Sequence, residues 1–269
     1  MAIHRPKKSL GQNFLKDPKI LRKIAEFAHI NIGDTVVEIG PGQGSLTQIL
    51  LEKVGAGGKV IAVEKDAELV SFLKERFKEV NKERLEIIEG DILNYNLPTT
   101  NCKLVGNIPY YITGEIFRKF LGSENKPKSI TFVIQKEVAD RIMARDNKES
   151  ILSISVKAYG TPEYGGIIKA GSFSPAPKVD SAIIGVRNIG KERWKDACPP
   201  CFPRRCRRGK INEKKFFEIV KKGFAHKRKL LINNLGVSKG IFDTCGIPEK
   251  ARAEDLELKD WICLLEQLG

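Results

Sequence analysis

Thr35-Val36-Val37-Glu38-Ile39-Gly40-Pro41-Gly42-Gln43-Gly44-Ser45 decides the architecture. A short β-branched apolar run ends in a glycine-rich turn, and an amphipathic stretch starts at Ser45 and runs to Lys53. The first strand of an open α/β sheet passes into its first helix in this way. Outward from this point, Lys59–Val63, Leu85–Glu89, Lys103–Gly106 and Ser129–Ile134 read as further strands, with helices near Ala67–Val80, Gly114–Leu121 and Lys136–Ala144. Strands alternating with helices predict a doubly wound, Rossmann-like α/β sheet. Ile151–Tyr159 and Asp180–Arg187, rich in Val, Ile and Ser, are expected to add antiparallel strands at its edge, so the α/β domain spans residues 1–188. Residues 189–211 hold three prolines and no apolar period, which suits a linker. Asn212 before Phe216, Phe217, Ile219 and Val220 resembles a capped helix, and Trp261, Leu264, Leu265 and Leu268 repeat at helical spacing, so 212–269 is expected to be a small helical domain.

The glycine turn selects among ligands. A dinucleotide fingerprint needs G-x-G-x-x-G, but counting from Gly40 the third glycine arrives one position early, at Gly44. A nicotinamide cofactor is therefore disfavoured. The second strand ends in Val63-Glu64-Lys65-Asp66, and Glu64 stands where a carboxylate can accept from both hydroxyls of a ribose. The third ends in Glu89-Gly90-Asp91-Ile92, where Asp91 could accept from an adenine amine beside apolar Ile92. The fourth runs into Asn107-Ile108-Pro109-Tyr110. An exocyclic adenine amine is a poor nucleophile, because its lone pair is delocalised into the ring. Two acceptors, the Asn107 side-chain oxygen and the Pro109 carbonyl, could hold the two amine hydrogens and keep the pair out of conjugation. Pro109 fixes its own φ, and Tyr110 offers a ring on which an extruded base can stack. Methylation of an amine needs no metal and no strong base, so the lack of a nearby His or Cys does not count against catalysis.

The chain of 269 residues carries a net charge of +14. Two blocks carry more than all of it: fifteen Lys or Arg against four acids between Lys191 and Lys229, a net +11, and seven against one between Met1 and Lys23, a net +6, which leaves about −3 for the rest. An otherwise near-neutral body with two basic blocks points to a polyanionic partner rather than to ordinary surface solvation. No apolar run approaches the length of a membrane span, and the N-terminus has no apolar signal core, so no membrane partner is expected and the cytoplasm is the expected location. Six scattered cysteines are expected to be reduced. Cys198, Cys201 and Cys206 give three thiols at C-x2-C-x4-C spacing, but no fourth ligand is evident, so they read as exposed thiols on a basic loop and no metal is expected.

With these motifs in place the sequence resembles the KsgA family, the small-subunit (16S) ribosomal RNA adenine N6,N6-dimethyltransferases. The likeness rests on Ser9–Leu15, Glu38–Thr47, Gly90-Asp91, Asn107–Thr113, Gln135–Ala139, Phe173–Ala182, Lys227–Lys229 and Arg252–Glu254, and so spans nearly the whole chain. It implies S-adenosylmethionine as cofactor, with Asn13 and Leu15 closing over it and Gly40 against its methionine part. It further implies that Glu64, Asp91 and Asn107 meet its ribose, adenine and sulfonium end. It also suggests Phe173 as the second aromatic wall of the target pocket, against the plainer reading of a core plug. The implied substrate is a pair of adjacent adenines of the small-subunit RNA, the implied partner an immature 30S subunit, and a monomer is expected. Two departures stand out: the cysteine-containing linker, and Lys227-Arg228-Lys229, where one Arg fork is given up for a Lys point charge. A large-subunit dimethyltransferase of the antibiotic-resistance type shares the Asn-x-Pro-Tyr site, and a ribosome-assembly or nucleic-acid-binding factor with secondary catalysis is the reading from another class.

Overall fold

The computed structural model describes Lys7, residues 11–190 and residues 212–268. Among the described residues, nine strands with their helices make up the first part of the chain. They are β1 (Phe14–Leu15), α1 (Pro18–Phe27), β2 (Thr35–Ile39), α2 (Ser45–Val54), β3 (Lys59–Glu64), α3 (Ala67–Arg76), β4 (Leu85–Glu89), β5 (Lys103–Asn107), α4 (Thr113–Gly122), β6 (Ser129–Gln135), α5 (Lys136–Met143), α6 (Ile151–Tyr159), β7 (Thr161–Ile168), β8 (Phe173–Ser174) and β9 (Ser181–Arg187). Seven strands form one sheet in the order β4-β3-β2-β5-β6-β9-β7. Strands β2 to β6 pair in parallel, whereas β9 runs antiparallel to both β6 and β7. The chain reverses its winding beside β2, whose neighbours are β3 and β5. Ligands bind outside the carboxyl ends of the strands at such a switch point.

Burial on both faces explains why the central strands are almost continuously apolar. Val36, Val60, Val105, Val133 and Ile183 are buried with Leu50 of α2 in one core, and Phe117 of α4 meets Phe132 of β6 edge-on at 5.4 Å between ring centroids. β1 and β8 form a separate two-stranded ribbon, with Leu15 opposite Phe173.

The described residues pack as two units. One holds the residues through Ala139 together with Thr161–Ile189, and the other holds Asp140–Gly160 with the residues from Gly190 onward. The stretch expected as residues 1–188 is therefore not contiguous in space. Ile151–Tyr159, expected as an edge strand, is instead helix α6 of the second unit. Ser150 supplies the reason: its hydroxyl accepts from Ser153 N at 3.1 Å while its own N–H donates to the Ser153 hydroxyl at 2.6 Å, a reciprocal cap. β-Branched content speaks for a strand, but the cap and the burial of Ile154, Val156, Ala158 and Tyr159 override that preference. The second antiparallel strand is β7, which the sequence reading passed over.

The second unit continues with α7 (Glu213–Gly223), α8 (Leu231–Leu235), α9 (Lys239–Thr244) and α10 (Leu258–Leu268). The Asn212 side chain caps α7 by accepting from Lys215 N at 3.0 Å, and Trp261, Leu264 and Leu265 of α10 are buried, as their spacing requires. Cys245 and Cys263 form a disulfide, with Cα atoms 5.8 Å apart. The expectation of reduced thiols is corrected here. The two cysteines are 18 residues apart in sequence, and only the folding back of α10 brings them to bonding distance. Cys102 is free and buried, and Cys198, Cys201 and Cys206 lie outside the described residues. No helix among the described residues is long and apolar enough to cross a membrane.

Candidate active site

A cleft of about 840 Å³, counting its open mouth, lies over the carboxyl ends of β2, β3, β4 and β5. Its floor is the turn after β2. Gly40 has φ +63, and a Cβ built there would meet nothing closer than the Asn107 carbonyl at 3.9 Å, so the backbone is open to close approach. Gly44 is glycine for a different reason: with φ +80, a Cβ would stand 2.6 Å from the Phe77 ring and 2.8 Å from Leu73. The turn is thus bare toward the cleft and tightly packed beneath it.

Two carboxylates face this floor. Glu64, at the end of β3, is 7% exposed. Its Oε1 accepts from Lys65 N at 2.9 Å and Asp66 N at 3.0 Å, and its Oε2 accepts from Gly42 N at 3.2 Å. Burial raises its pKa and these three N–H groups counter the rise. A carboxylate offers about four lone-pair sites, so Glu64 keeps capacity for a ligand hydroxyl. Asp91, after β4, accepts from Leu93 N at 2.9 Å and pairs with Lys65 Nζ at 2.9 Å. The Lys65 hydrogen bond, helped by Leu93 N, holds its carboxyl below the ordinary value. Lys65 thus ties the ends of β3 and β4 together at the cleft wall.

Beneath the glycine turn lies Glu38, 1% exposed, whose Oε2 accepts the Thr47 hydroxyl at 2.6 Å. Burial pushes its pKa up to about 8, the Thr47 bond lowers it and the Glu64 charge raises it further. A native pKa above the unfolded one means that the folded state keeps a proton the unfolded chain loses first. The contribution of Glu38 to stability is full below the ordinary carboxyl range and is lost as pH rises toward 8. The stability difference between wild type and Glu38→Gln should therefore fall steadily from pH 5 to pH 8 in urea denaturation. A difference that stays flat over that window would show that Glu38 is ionised throughout.

The end of β5 supplies the reactive-side groups. Asn107 Nδ2 donates to the carbonyl of Asn13 at 2.8 Å. A carbonyl can only accept, so this bond fixes which way round the amide stands and leaves Oδ1 as its open acceptor. Pro109, with φ −55 and ψ 130, precedes the short 3-10 turn Tyr110–Ile112. Its carbonyl takes Ile112 N at 3.2 Å and retains a second lone pair. Tyr110, half-buried, shares a hydrogen bond of 2.8 Å with the hydroxyl of Ser181 at the start of β9. The far end of its ring is thereby anchored to a buried strand.

The segment 11–15 crosses this site as a strap. Gln12 Nε2 donates to Asp66 at 2.9 Å, Lys7 Nζ reaches the same carboxylate at 2.8 Å, and β1 pairs with β8 beyond. Asn13, Gly40, Glu64, Asp91, Asn107, Pro109 and Tyr110 all line the main cleft. Leu15 lines a smaller adjoining hollow with Gly40 and Asn107. Phe173 lines neither: it is 5% exposed and belongs to the core cluster with Leu15. The second-wall role expected of it stays a proposal, and its burial beside Leu15 is the arrangement that the plainer core-plug reading describes. Sequence reasoning passed over Gln12, Lys65 and Ser181. Each lies inside a quoted motif, but its partner stands 26 to 71 residues away, and no local pattern carries that information.

The chain matches the ribosomal RNA adenine dimethylase family over residues 3–200. The chain belongs to that family. A protein named ribosomal RNA small subunit methyltransferase A from Dehalococcoides mccartyi is 36% identical over 277 residues, covering 97% of this chain and 88% of the relative. Among solved structures, a dimethyladenosine transferase from Plasmodium falciparum superposes with a TM-score of 0.77 at 25% identity, over 95% of this chain and 97% of that one. The 23S rRNA methyltransferase ErmE gives 0.73 at 25% identity, over 95% and 99%. The dimethylase fold is thus Rossmann-like, and its methyl donor is S-adenosylmethionine. The residues present fit that donor: an open glycine turn, two carboxylates at successive strand ends, and an acceptor amide at the third.

Proposed function

We propose that this dimethylase modifies N6 of adjacent adenines in small-subunit ribosomal RNA, acting as a monomer on immature 30S particles in the cytoplasm. The observation that carries the chemistry is the Asn107 amide, held through Nδ2 on the Asn13 carbonyl so that Oδ1 faces the task of accepting. S-adenosylmethionine supplies a sulfonium-bound methyl, an electrophile that needs no metal. Asn107 Oδ1 and the remaining lone pair of the Pro109 carbonyl take the two amine hydrogens and turn the nitrogen pair out of the adenine ring. Tyr110, its hydroxyl anchored by Ser181, stacks the extruded base. Asn13 of the strap lines the cleft opposite Glu64 and Asp91, which orient the adenosyl end. The methylated amine is cationic and acidic, so its proton leaves to water without a dedicated base.

The choice of subunit is supported by 36% identity along 97% of the chain to the small-subunit relative, against 25% for the 23S enzyme. Incubating the protein and methyl-labelled S-adenosylmethionine with immature small subunits and, separately, with large-subunit RNA tests it. Label in the small subunit alone is expected. Label confined to large-subunit RNA would assign the chain to the other branch of the fold.

RNA attachment should draw on the basic block between Lys191 and Lys229, of which Arg204, Arg205, Arg207 and Arg208 lie outside the described residues. Each phosphate contact releases counterions, so affinity should fall with salt at a log–log slope near roughly −0.7 per contact on single strands. Neutralising the four arginines together should flatten the slope and weaken binding, with cofactor affinity unaltered. Coincident slopes from filter binding would move the docking to Lys227–Lys229 and the N-terminal block.

A further inference from the structure

Tyr111 follows the stacking residue of the site and takes no part in the steps above. It is 62% exposed and is the only aromatic among the exposed large hydrophobics of the described residues. A single exposed apolar side chain is ordinary. This one is placed unusually, because it lines the mouth of the cleft with Pro109, Tyr110 and Lys65. It is also held. Its Cε1 and Cδ1 stand 3.4 and 3.7 Å from where a Cβ on Gly11 would be, so one side of the ring rests on the bare backbone of the strap. Its main chain lies in the 3-10 turn that opens α4, which fixes the root of the side chain. The rest of the ring is open to solvent, and the exposed ammonium-bearing side chain of Lys65 shares the same rim.

An aromatic anchored on one side, open on the other and accompanied by a cation is the arrangement that single-stranded nucleic acid uses, since every base has a π-face to stack. The reaction creates the need for one. Extruding the target adenine breaks its stacking with both chain neighbours, at a cost of a few kcal/mol. We propose that Tyr111 is a stacking platform for the nucleobase adjoining the target adenine, receiving the face that extrusion exposes. The inference rests on the adenine-in-RNA reading above. It makes the cleft a two-base site, with Tyr110 for the reacting base and Tyr111 for its neighbour, and so gives a physical reason for acting where two adenines are adjacent.

The test pairs protein variants with RNA variants. Fluorescence anisotropy of the full chain is measured on a single-stranded small-subunit RNA fragment bearing the target, unmodified or with an abasic residue on the 5′ or the 3′ side of the target adenine. For wild type, the abasic change on one side should weaken binding about tenfold, the scale of one base–aromatic stack. Tyr111→Ala should bind the unmodified RNA about tenfold more weakly and lose nothing further from the same abasic change, while Tyr111→Phe keeps the wild-type affinity. Tyr111→Leu, which retains an apolar contact to Gly11 without a π-face, should behave as Tyr111→Ala. Wild type indifferent to both abasic changes, or Tyr111→Ala and Tyr111→Leu showing the same abasic loss as wild type, would overturn the platform. Methyl transfer to the immature small subunit is followed in parallel. If wild type transfers no methyl group to it, the reading of the reaction fails; if it does and the abasic effect is absent, only the platform fails.

Discussion

Replacing Asn107 with Ala should lower methyl transfer by roughly two or more orders of magnitude while S-adenosylmethionine affinity stays within a few-fold. The split follows from what the side chain touches. Its Nδ2 makes one hydrogen bond to the Asn13 carbonyl, and the loss of a single bond of this kind costs about 0.5–1.5 kcal/mol. Its Oδ1 takes no hydrogen bond from the described residues, and an acceptor aimed at the amine matters chiefly when the lone pair leaves conjugation. The loss therefore falls on turnover rather than on binding. Single-turnover assays with calorimetric affinities measure both, and near-normal turnover would remove Asn107 from the reaction.

Glu64 should show the opposite weighting. Its carboxylate organises Gly42, Lys65 and Asp66 through three backbone N–H groups and holds its remaining lone pair toward the cleft. Glu64→Ala should cost about 1–3 kcal/mol of cofactor affinity, roughly 5- to 150-fold, because ribose hydroxyls lose their acceptor. It also leaves three N–H groups to find other partners. Glu64→Gln, with one acceptor retained, separates the effects: it should lose part of the affinity with little loss of stability. Calorimetry giving the same dissociation constant for wild type and both variants would take Glu64 out of the site.

The sequence was legible wherever function and fold are local. A strand that ends at Ile39 before the Gly40 turn and a helix that begins at Ser45 announce themselves within eleven residues, and Glu64, Asp91 and Asn107 at or just past later strand ends follow from the same alternation. Where the deciding interaction is distant, or local but weakly marked, reading along the chain failed. Ile151–Tyr159 has strand composition, and the partner that decides for a helix is Ser150, whose hydroxyl and Ser153 cap each other at a spacing that Ser, rather than the more telling Glu, obscures. Cys245 meets Cys263 only after α10 turns back. Phe173, between Gly171 and Pro175, carries no mark that distinguishes a pocket wall from a core plug, and its place beside Leu15 comes from β1–β8 pairing between distant segments. Tyr111 lies within the matching motif, but its exposure beside a half-buried Tyr110 depends on the turn at Pro109 and on the glycine of the strap.

The most direct test of the central claim is nucleoside mass spectrometry. Unmodified small-subunit ribosomal RNA, assembled with its proteins, is incubated with the protein and S-adenosylmethionine, digested and compared with a control lacking the enzyme. The account requires N6,N6-dimethyladenosine to appear, mapped to two neighbouring adenines, and to be absent when Asn107→Ala replaces wild type. A methyl group found on another base, on ribose or on ribosomal protein, with adenine left unmodified, would contradict it.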